Sequence, residues 1–246
     1  MVLQSATEAR AATVTIGQNM GTTMTRPLLP VRQNRLTPRA SAKRTQIIDT
    51  ALRQFAQRGY EDVRVSDIAH ELSIAKGSIF QHFSSKEGLF LEVYKRAASS
   101  FPKYLDVPAG VREGGFFEIL RYWLFHTEHL VQEDWLRYRI VLLGNYCTNL
   151  VLKREINRFQ AADDPYGRMP LIRLGLERGE LRKDLDVEMI VSVIDWMMER
   201  FQDTLVSAEM DPGLFRHQNG ASGQNEARIN QLLQLLRRAI GAPSER

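Results

Sequence analysis

Five residues of one short segment have the types and spacing that contacts with nucleic acid require. Gln81 can form two hydrogen bonds with an adenine, and Lys76 can reach a guanine or a phosphate. Ser78 and His82 suit phosphate or base-edge contacts. Gly77 carries no side chain, so the start of the segment can lie close to the DNA backbone. The segment is a candidate DNA-reading surface; the alternative is an ordinary solvated helix face.

Lys86 lies at a position where a cation is usually unfavourable. Ser84 and Glu87 have the spacing of a helix-capping box, which predicts that Lys86 belongs to the first turn of a helix, at the positive end of its dipole. A cation there typically costs about 0.3–1 kcal/mol. A bound phosphate would remove this cost, because the free backbone N–H groups and the lysine both favour an anion. Lys86 is therefore a candidate phosphate contact; the alternative is that its side chain extends into solvent.

Two short amphipathic runs hold these residues. Residues 65–72 and 76–83 are separated only by Ser73, Ile74 and Ala75. Neither run is long enough to be stable alone, since isolated helices below about 12–15 residues are marginal. The apolar residues that must pack together and on a neighbouring helix are Val65, Ile68, Ala69, Leu72, Ile79, Phe80 and Phe83. Two helices across such a short break predict a helix-turn-helix, whose second helix enters a DNA major groove.

The rest of the chain predicts helices and no convincing strand. The first helix ends at Arg58-Gly59, where a last-turn cation is followed by a glycine. The predicted helices, nine in all, span approximately residues 41–58, 65–72, 76–83, 84–103, 114–133, 135–160, 166–178, 187–208 and 225–240. We therefore expect an all-α fold. It would combine an N-terminal three-helix helix-turn-helix DNA-binding domain, residues 41–96, with a larger helical domain, residues 97–246.

The net charge of +4 is unevenly distributed along the chain. Residues 1–40 carry +4, residues 41–96 carry +2, and residues 97–246 carry −2. The positive charge thus gathers beside the predicted helix-turn-helix, where attraction to phosphate would need it. Residues 1–40 lack periodicity and are rich in Thr, Ala, Arg and Pro, which predicts a disordered basic arm.

The cysteine content and the hydropathy of the chain restrict the cellular compartment in which the protein works. The lone cysteine, Cys147, cannot form an internal disulfide, and no apolar run approaches the roughly 18–20 residues that span a bilayer. We therefore predict a cytoplasmic protein without a membrane partner. An organelle transit peptide would share the Arg-rich, acid-poor composition of the arm. Translation from Met20 or Met24 would leave a shorter arm.

A set of short motifs extends from the end of the first helix to the start of the fourth. The motifs read Phe55-Ala56-Gln57-Arg58-Gly59-Tyr60, Ile68-Ala69, Lys76-Gly77-Ser78, Phe80-Gln81-His82-Phe83 and Ser85-Lys86-Glu87-Gly88-Leu89. With this spacing, residues 43–95 resemble the tetracycline-repressor (TetR/AcrR-type) family of bacterial transcriptional regulators. The resemblance implies a C-terminal domain that binds an effector and forms a dimer. The predicted DNA contacts are Arg44, Thr45, Ser66, Lys76, Gly77, Ser78, Gln81, His82 and Lys86.

Four positions depart from that family's pattern. Arg64 stands where Thr is frequent, which leaves Ser66 as the remaining hydroxyl for a phosphate contact. Ser73 replaces the usual turn glycine and must adopt that backbone shape at some strain. Ala75 replaces a capping Ser, a loss that can cost ~1 kcal/mol, and Phe80 replaces a frequent Tyr. We therefore expect DNA affinity to depend more on Lys86, His82 and the arm.

Two apolar stripes in the C-terminal half predict how a dimer would form. Residues 187–208 and 225–240 each carry a wide stripe of aliphatic, Met and Phe residues at helical spacing. In a chain that resembles this family, the stripes would form a four-helix bundle with a second copy and set two recognition helices about one DNA turn apart. The alternative is packing within one chain.

A helix over residues 114–133 has an unusual second face, with Glu118, Tyr122, His126, His129 and Glu133 at helical spacing. A solvated face, a polar wall of an effector pocket and a metal site are the three interpretations, of which we favour the first. The candidate effector pocket, for which core packing is the alternative, comprises Tyr122, Trp123, His126, Trp135, Tyr138 and Tyr146. No cofactor and no metal are predicted.

The features together favour a sequence-specific transcriptional regulator, usually a repressor, that binds a palindromic operator as a homodimer and is released by an unknown small-molecule effector. The alternative is a DNA-organising protein without an effector, bound mainly through backbone charge. A helical enzyme using His126 and His129 is a third hypothesis, but no nucleophile–base arrangement or phosphate loop supports it. We therefore predict that the protein is not an enzyme.

Overall fold

The computed structural model describes residues 38–207, 210–211 and 222–243. The predicted basic arm lies outside the described residues except for Pro38, Arg39 and Ala40. Within the described part no β-strand is found, and one isolated antiparallel bridge joins Leu181 to Gly241. The fold is all-α, as predicted.

The described residues form twelve α-helices. In chain order they are α1 (Pro38–Asp62), α2 (Val65–Glu71), α3 (Lys76–Phe83), α4 (Lys86–Ala98), α5 (Ala109–Glu113), α6 (Phe116–Glu133), α7 (Trp135–Asn145), α8 (Leu150–Asp163), α9 (Arg168–Glu177), α10 (Val187–Ile194), α11 (Arg200–Val206) and α12 (Ser222–Ile240). A π-helical turn, Asp195–Glu199, joins α10 to α11 without a break and is called the π turn below. None of the described helices is long and apolar enough to cross a membrane.

The predicted helix-turn-helix is present as α2 and α3. Ser73, in the turn between them, has a φ of 52°, the left-handed conformation that its replacement of a turn glycine predicted. Ala75 caps α3 and Arg64 caps α2 without any side-chain hydrogen bond. The missing cap predicted at Ala75 is therefore confirmed, and α2 lacks one as well. The helix pair depends on its packing against α1 and α4 for stability.

The helix after the recognition helix begins differently from the prediction. Ser85, not Ser84, caps α4: its hydroxyl accepts a hydrogen bond from the Gly88 amide at 3.0 Å. Ser84 instead takes a left-handed conformation with φ 62° at the end of α3, so the capping box predicted from Ser84 and Glu87 is wrong. A Cβ at Gly88 would overlap the carbonyl of Phe83, so this glycine lets α4 approach the end of α3.

The C-terminal half has more helices than expected. The helix predicted over residues 135–160 is two helices, because the side chain of Asn149 accepts hydrogen bonds from Val151 and Leu152 amides and starts α8 there. The short α5 was not predicted. With α10, the π turn and α11 counted as one continuous rod, the described residues hold eleven helices where nine were expected.

Two apolar cores organise the described chain. The first joins the buried faces of α1 to α4 with residues of α7 and α8, including Ile140, Leu152 and Ile156. The second joins α6, α9, α10, α11 and α12. The first core therefore continues past residue 96 into α7 and α8, and α4 packs directly against the helices of the C-terminal half. The domain boundary at residues 96 and 97 stays a prediction.

Candidate functional site

The outer face of α3 presents the polar residues that its amphipathic pattern predicted. Lys76, Gly77 and Gln81 are exposed, and Ser78 and His82 are half-buried. The opposite face packs inward through Ile79 and Phe83, both of which belong to the first core. Because the apolar face fixes the rotation of the helix, the polar face is held outward as a unit, in the position from which it could enter a groove.

Lys86 lies against the end of α1 rather than extending into open solvent. Its Nζ donates a hydrogen bond to the carbonyl of Glu61 at 3.1 Å and lies 4.5 Å from the centre of the Tyr60 ring. The Tyr60 hydroxyl in turn donates to Glu87 Oε1 at 3.2 Å. The lysine remains half-buried, not enclosed. A phosphate at the start of α4 would have to exchange with this intramolecular partner.

The remaining residues predicted to contact DNA differ in whether their side chains already bond other parts of the protein. Arg44 forms an ion pair with Glu92 of α4, and its guanidinium carbon lies 5.1 Å from the centre of the Phe83 ring. Thr45 is exposed. Ser66 is exposed as well, and its hydroxyl donates to its neighbour Asp67 at 3.3 Å. Arg44 of α1 is thus engaged in intramolecular contacts with α3 and α4.

A cavity of about 140 Å³ lies in the C-terminal half, between α6, α7, α9 and the π turn. Its walls, which combine aromatic, aliphatic and charged side chains, are formed by Phe101, Pro102, Tyr104, Trp123, Thr127, Leu130, Val131, Tyr138, Val141, Asn145, Tyr166, Arg168, Asp195, Glu199, Gln202 and Asp203. A cavity of this kind is the usual form of a small-molecule site.

Two of the six predicted pocket residues, Trp123 and Tyr138, line this cavity, and four do not. Tyr122 and His126 stack on each other with ring centres 3.9 Å apart, on another face of α6. Trp135 is 45% exposed at the start of α7, and Tyr146 is 43% exposed. Tyr146 still bonds a wall residue, since its hydroxyl donates to Asp203 Oδ2 at 2.7 Å. Aromatic content alone did not indicate which helix face meets the cavity.

The charged wall was not predicted. Asp195, Glu199 and Asp203 follow one another at intervals of one helical turn along the π turn and α11, and all three line the cavity. Their spacing within the otherwise apolar stripe of residues 187–208 is a signal the sequence contains, because carboxylates among core-facing positions are unusual. The same stripe was interpreted only as a dimer surface.

Each carboxylate has a different partner. Asp195 forms a largely buried ion pair with Arg168, whose Nε lies 2.8 Å from its oxygen. Asp203 accepts hydrogen bonds from the hydroxyls of Tyr138, at 2.5 Å, and Tyr146. Glu199 accepts one from the side-chain amide of Asn145, and no ion pair of Glu199 is found in the described part of the chain. Of the three carboxylates, only Asp195 forms an ion pair in the described part of the chain, while Arg200 attracts Asp203 without pairing with it.

Burial changes how these groups titrate. Loss of solvent raises the pKa of Glu199 to about 7, and the negative charge of Asp203 adds to this effect. Loss of solvent also raises the pKa of Asp195, and that of Asp203 despite the two tyrosine hydroxyls that bond it. Burial thus disfavours the ionised form of these carboxyl groups, and a cation placed beside them would favour it.

A chain of hydrogen bonds connects the cavity to α4. Asn145, which bonds Glu199, also accepts a hydrogen bond from the Tyr94 hydroxyl at 2.8 Å. Tyr94 is fully buried on α4, and Gln160 of α8 donates to its hydroxyl at 2.5 Å. A Cβ at Gly144 would overlap the Tyr94 ring, so this glycine is needed for the close approach of α7 to α4. A change at Glu199 therefore has a direct route to the helix that begins at Lys86.

The two stripes predicted to form a dimer are mostly buried within the chain. Ile190, Ile194 and Met198 belong to the second core, as do the buried leucines of α12. Three large apolar side chains of the same elements remain outside: Met189 is 51% exposed, Trp196 is 68% exposed and Leu235 is 56% exposed. Intrachain packing thus accounts for most of both stripes and leaves an exposed apolar remainder.

The two histidines of α6 contact different partners. His126 Nδ1 lies 2.7 Å from the Tyr122 carbonyl, and His129 pairs with Glu133 at 3.2 Å on the exposed surface. Among the described residues, no group of three or more His, Cys, Asp or Glu side chains could hold a metal ion. The polar face of α6 is accounted for by these local contacts.

Comparison with known sequences identifies the N-terminal region. Residues 47–93 match the family of bacterial regulatory proteins called the tetR family. The HTH-type transcriptional repressor AcnR of Corynebacterium glutamicum is 27% identical over 171 residues, which cover 70% of this chain and 86% of that protein. The HTH-type transcriptional repressor KstR2 of Rhodococcus jostii is 27% identical over 153 residues, or 61% of this chain and 72% of that one.

Solved structures share the fold. The regulator FadR of Bacillus subtilis, solved in complex with stearoyl-CoA, is 23% identical with a TM-score of 0.57 and matches 78% of this chain and 96% of its own. A tetR family transcription regulator of Shewanella sp. PV-4 is 19% identical with a TM-score of 0.57, covering 82% of this chain and 99% of that one. The helix-turn-helix region of this chain thus matches the tetR family of bacterial regulatory proteins, and its described helices share the fold of these solved regulators.

Proposed function

We propose that this protein is a transcriptional repressor that binds a palindromic operator as a homodimer and leaves it when a small molecule occupies the C-terminal cavity. The observation that supports this most directly is α3: its apolar face is locked into the core while Lys76 and Gln81 are exposed on the other side. The similar AcnR and KstR2 proteins are themselves repressors by name. The cytoplasm, where the DNA is, is the proposed place of action.

On the operator, the residues would divide into base contacts and phosphate contacts. Gln81 and Lys76 would read base edges in the major groove. Ser66, Ser78, His82 and Lys86 would hold phosphates and set the register of α3, with Gly77 allowing a close approach. Lys86 would exchange its bond to the Glu61 carbonyl for a phosphate oxygen.

Arg44 and Thr45 have a secondary part in this proposal. Thr45 is exposed near the start of α1 and can reach a phosphate directly. Arg44 is engaged with Glu92, so its first role would be to hold α1 and α4 together behind α3. Its contact with DNA would require that ion pair to open. The carboxylate of Glu92 would then be left without its arginine.

A second copy of the chain is the partner we propose for the exposed apolar remainder of α10, the π turn and α12. Met189 and Trp196 lie two helical turns apart on one face, and Leu235 lies on α12. Large exposed apolar patches mark protein contacts, and a second copy would cover these three side chains. A two-fold dimer through this face would place two α3 helices for half-sites about 34–36 Å apart.

Effector control would follow from the connection between the cavity and α4. A ligand that bonds Glu199 would alter the contacts of Asn145 and hence those of Tyr94 on α4. For release, the ligand must bind the DNA-incompetent arrangement more tightly than the DNA-bound one, and DNA must weaken the ligand by the same factor. The relative FadR was solved with stearoyl-CoA. The acyl-CoA bound to FadR is a property of that protein and does not identify the effector of this chain.

Selection of genomic fragments by the purified full-length protein tests the proposal. We expect a common sequence with two-fold symmetry, and an affinity for it that falls steeply and linearly on a logarithmic salt scale. A competing fragment of equal length and scrambled sequence serves as control. Binding with no sequence preference at any salt concentration would contradict a repressor and would favour the DNA-organising alternative.

A further inference from the structure

We propose that the C-terminal cavity selects a small organic monocation, an amine or ammonium compound with a compact aromatic or aliphatic body. This inference rests on the proposed function, since it names the chemical class of the effector for the same regulator. The charged side chains, the aromatic and aliphatic walls and the volume of the cavity support it.

The charged side chains on the cavity wall are mostly carboxylates. Of the charged side chains on its wall, three are carboxylates and one is a guanidinium, and that guanidinium, of Arg168, is paired with Asp195. Lys153 lies near Glu199, but its Nζ donates to the Asn145 carbonyl at 2.7 Å. The hydrogen bonds to Glu199 and Asp203 come from neutral groups only, an amide and two phenols. Arg200, which is not on the wall, attracts Asp203 and donates to the Tyr146 hydroxyl at 3.2 Å, so Glu199 is the carboxylate with the least compensation. A buried charge without an opposite charge favours a ligand that supplies one.

The opposite charge on a ligand would be rejected by the same wall. A carboxylate or phosphate in the cavity would lie beside Glu199 and Asp203, and Arg168 could receive it only by leaving Asp195. In a site removed from water, like charges repel more strongly than they do at the surface. The wall therefore discriminates by charge sign, in favour of cations.

The uncharged part of the wall suits the body of such a ligand. Five aromatic side chains, Phe101, Tyr104, Trp123, Tyr138 and Tyr166, line the cavity together with the carboxylates. Aromatic rings attract organic cations through their negative faces, and this attraction is larger in sites removed from water. Aliphatic neighbours such as Leu130 and Val141 add apolar surface for the rest of the molecule.

The volume of the cavity limits the size of the ligand. The cavity measures about 140 Å³, and an apolar protein cavity of roughly 150 Å³ is known to hold a benzene molecule. One ring with a short ammonium-bearing arm therefore matches the available space.

Three probes of the same shape test the charge selection: benzylammonium, benzyl alcohol and benzoate, which carry a positive charge, no charge and a negative charge. Each is titrated by calorimetry into the full-length protein at pH 8, where Glu199 is ionised because its pKa of about 7 lies below this value. We expect benzylammonium to bind roughly tenfold more tightly than benzyl alcohol, and benzoate to bind more weakly than either. Benzylammonium that does not bind, or binds no more tightly than benzyl alcohol, overturns the proposal.

Two variants assign the selection to one side chain. Glu199→Gln keeps the shape and can still accept the hydrogen bond from Asn145, so we expect the preference for benzylammonium over benzyl alcohol to fall to about twofold or less. Glu188→Gln, an exposed carboxylate of α10, is the matched control and should keep the full preference. Retention of the full preference in Glu199→Gln, with benzyl alcohol binding unchanged, also overturns the proposal.

DNA binding is measured on the same preparations by fluorescence anisotropy with the selected genomic fragments. If the charge preference fails while sequence-specific DNA binding is intact, only the cation class is overturned and the repressor proposal stands. If specific DNA binding fails while calorimetry shows the charge preference, the proposed function is overturned and the cation site stands. The two proposals are therefore separable in one set of samples.

Discussion

The helix-turn-helix and the cavity differ in how they hold charge. On the helix-turn-helix, charged side chains lie at the surface and pair across α1 and α2: Arg53 with Glu71 at 2.9 Å and Arg58 with Asp67 at 3.0 Å. Such exposed pairs are each worth only about 0–1 kcal/mol, because water solvates both partners. Charge at this surface can therefore be rearranged at small cost when a polyanion arrives.

In the cavity, charge is removed from water and only partly compensated. Glu199 and Asp203 depend on an amide and two tyrosine hydroxyls, and loss of solvent raises the pKa of both carboxyl groups. An unbalanced buried charge cannot be screened by salt in the way that a surface charge is. The helix-turn-helix and the cavity should therefore respond differently to the same perturbation. Surface variants should change DNA binding with little effect on stability, whereas cavity variants should change both stability and ligand choice.

The largest expected effect concerns the exposed apolar remainder of the C-terminal half. Trp196→Glu places a charge at the centre of the proposed two-fold contact, and we expect it to weaken dimerisation by about 2–4 kcal/mol. Sedimentation equilibrium measures this as a shift from dimer to monomer. Trp135→Glu, which alters an exposed tryptophan of α7, is the matched control and should leave the dimer intact. A Trp196→Glu protein that remains fully dimeric at the concentrations where the parent is dimeric would exclude this face.

At the DNA surface, Gln81→Ala should relax preference at one base pair, by roughly 1–3 kcal/mol, because one pair of base-edge hydrogen bonds is lost. The melting temperature should not change, since Gln81 is exposed and lies outside the core. Competition between operators that differ at single positions measures the effect. Equal losses on every sequence would show that α3 is oriented differently from our proposal.

Lys86→Ala should weaken binding to all DNA sequences alike and reduce the salt slope by about one unit, because one phosphate contact is removed. Lys86 also bonds the Glu61 carbonyl and covers the Tyr60 ring. Thermal unfolding must therefore be measured beside DNA binding. Lys183→Ala, at an exposed position in the C-terminal half, is the control that should change neither. An unchanged salt slope with lowered stability would assign Lys86 a purely structural role.

The contrast between the two regions also explains what the sequence could predict. The helix-turn-helix is local: its spacing, the missing cap at Ala75 and the strained turn at Ser73 all follow from neighbouring residues. Even there, the choice of Ser85 over Ser84 as cap depended on how the end of α3 meets α4. That contact is tertiary and could not be inferred from spacing.

The cavity was harder to predict because its wall is assembled from segments far apart in the chain. Trp123 and Tyr138 were expected there and line it, whereas Tyr122 and His126 of the same region turned to another face of α6. The carboxylates were missed because each one, taken singly, is an ordinary polar residue of a helix. Only the packing of α7 and α9 against the π turn makes Glu199 a buried charge.

The smallest expected effect is a pH-dependent change in stability. The folded pKa of Glu199, about 7, lies above its usual value of 4.5, so between these values the folded protein retains a proton that the unfolded chain releases. Stability from this group is therefore lost as pH rises through about 7. The charged groups that face Glu199 are Asp203, Asp195, Arg168 and Lys153.

We expect Glu199→Gln to raise the melting temperature by a few degrees at pH 8, because the variant removes a desolvated charge, and to raise it less at pH 5, where the parent carboxyl is already protonated. Differential scanning calorimetry of the parent and variant at both pH values isolates this group from Asp195 and Asp203, which titrate in both proteins. Glu188→Gln, with its exposed side chain, should show no such difference. An equal gain at both pH values would mean that water solvates Glu199. The contrast between a screened surface and an unscreened interior would then not hold at this residue.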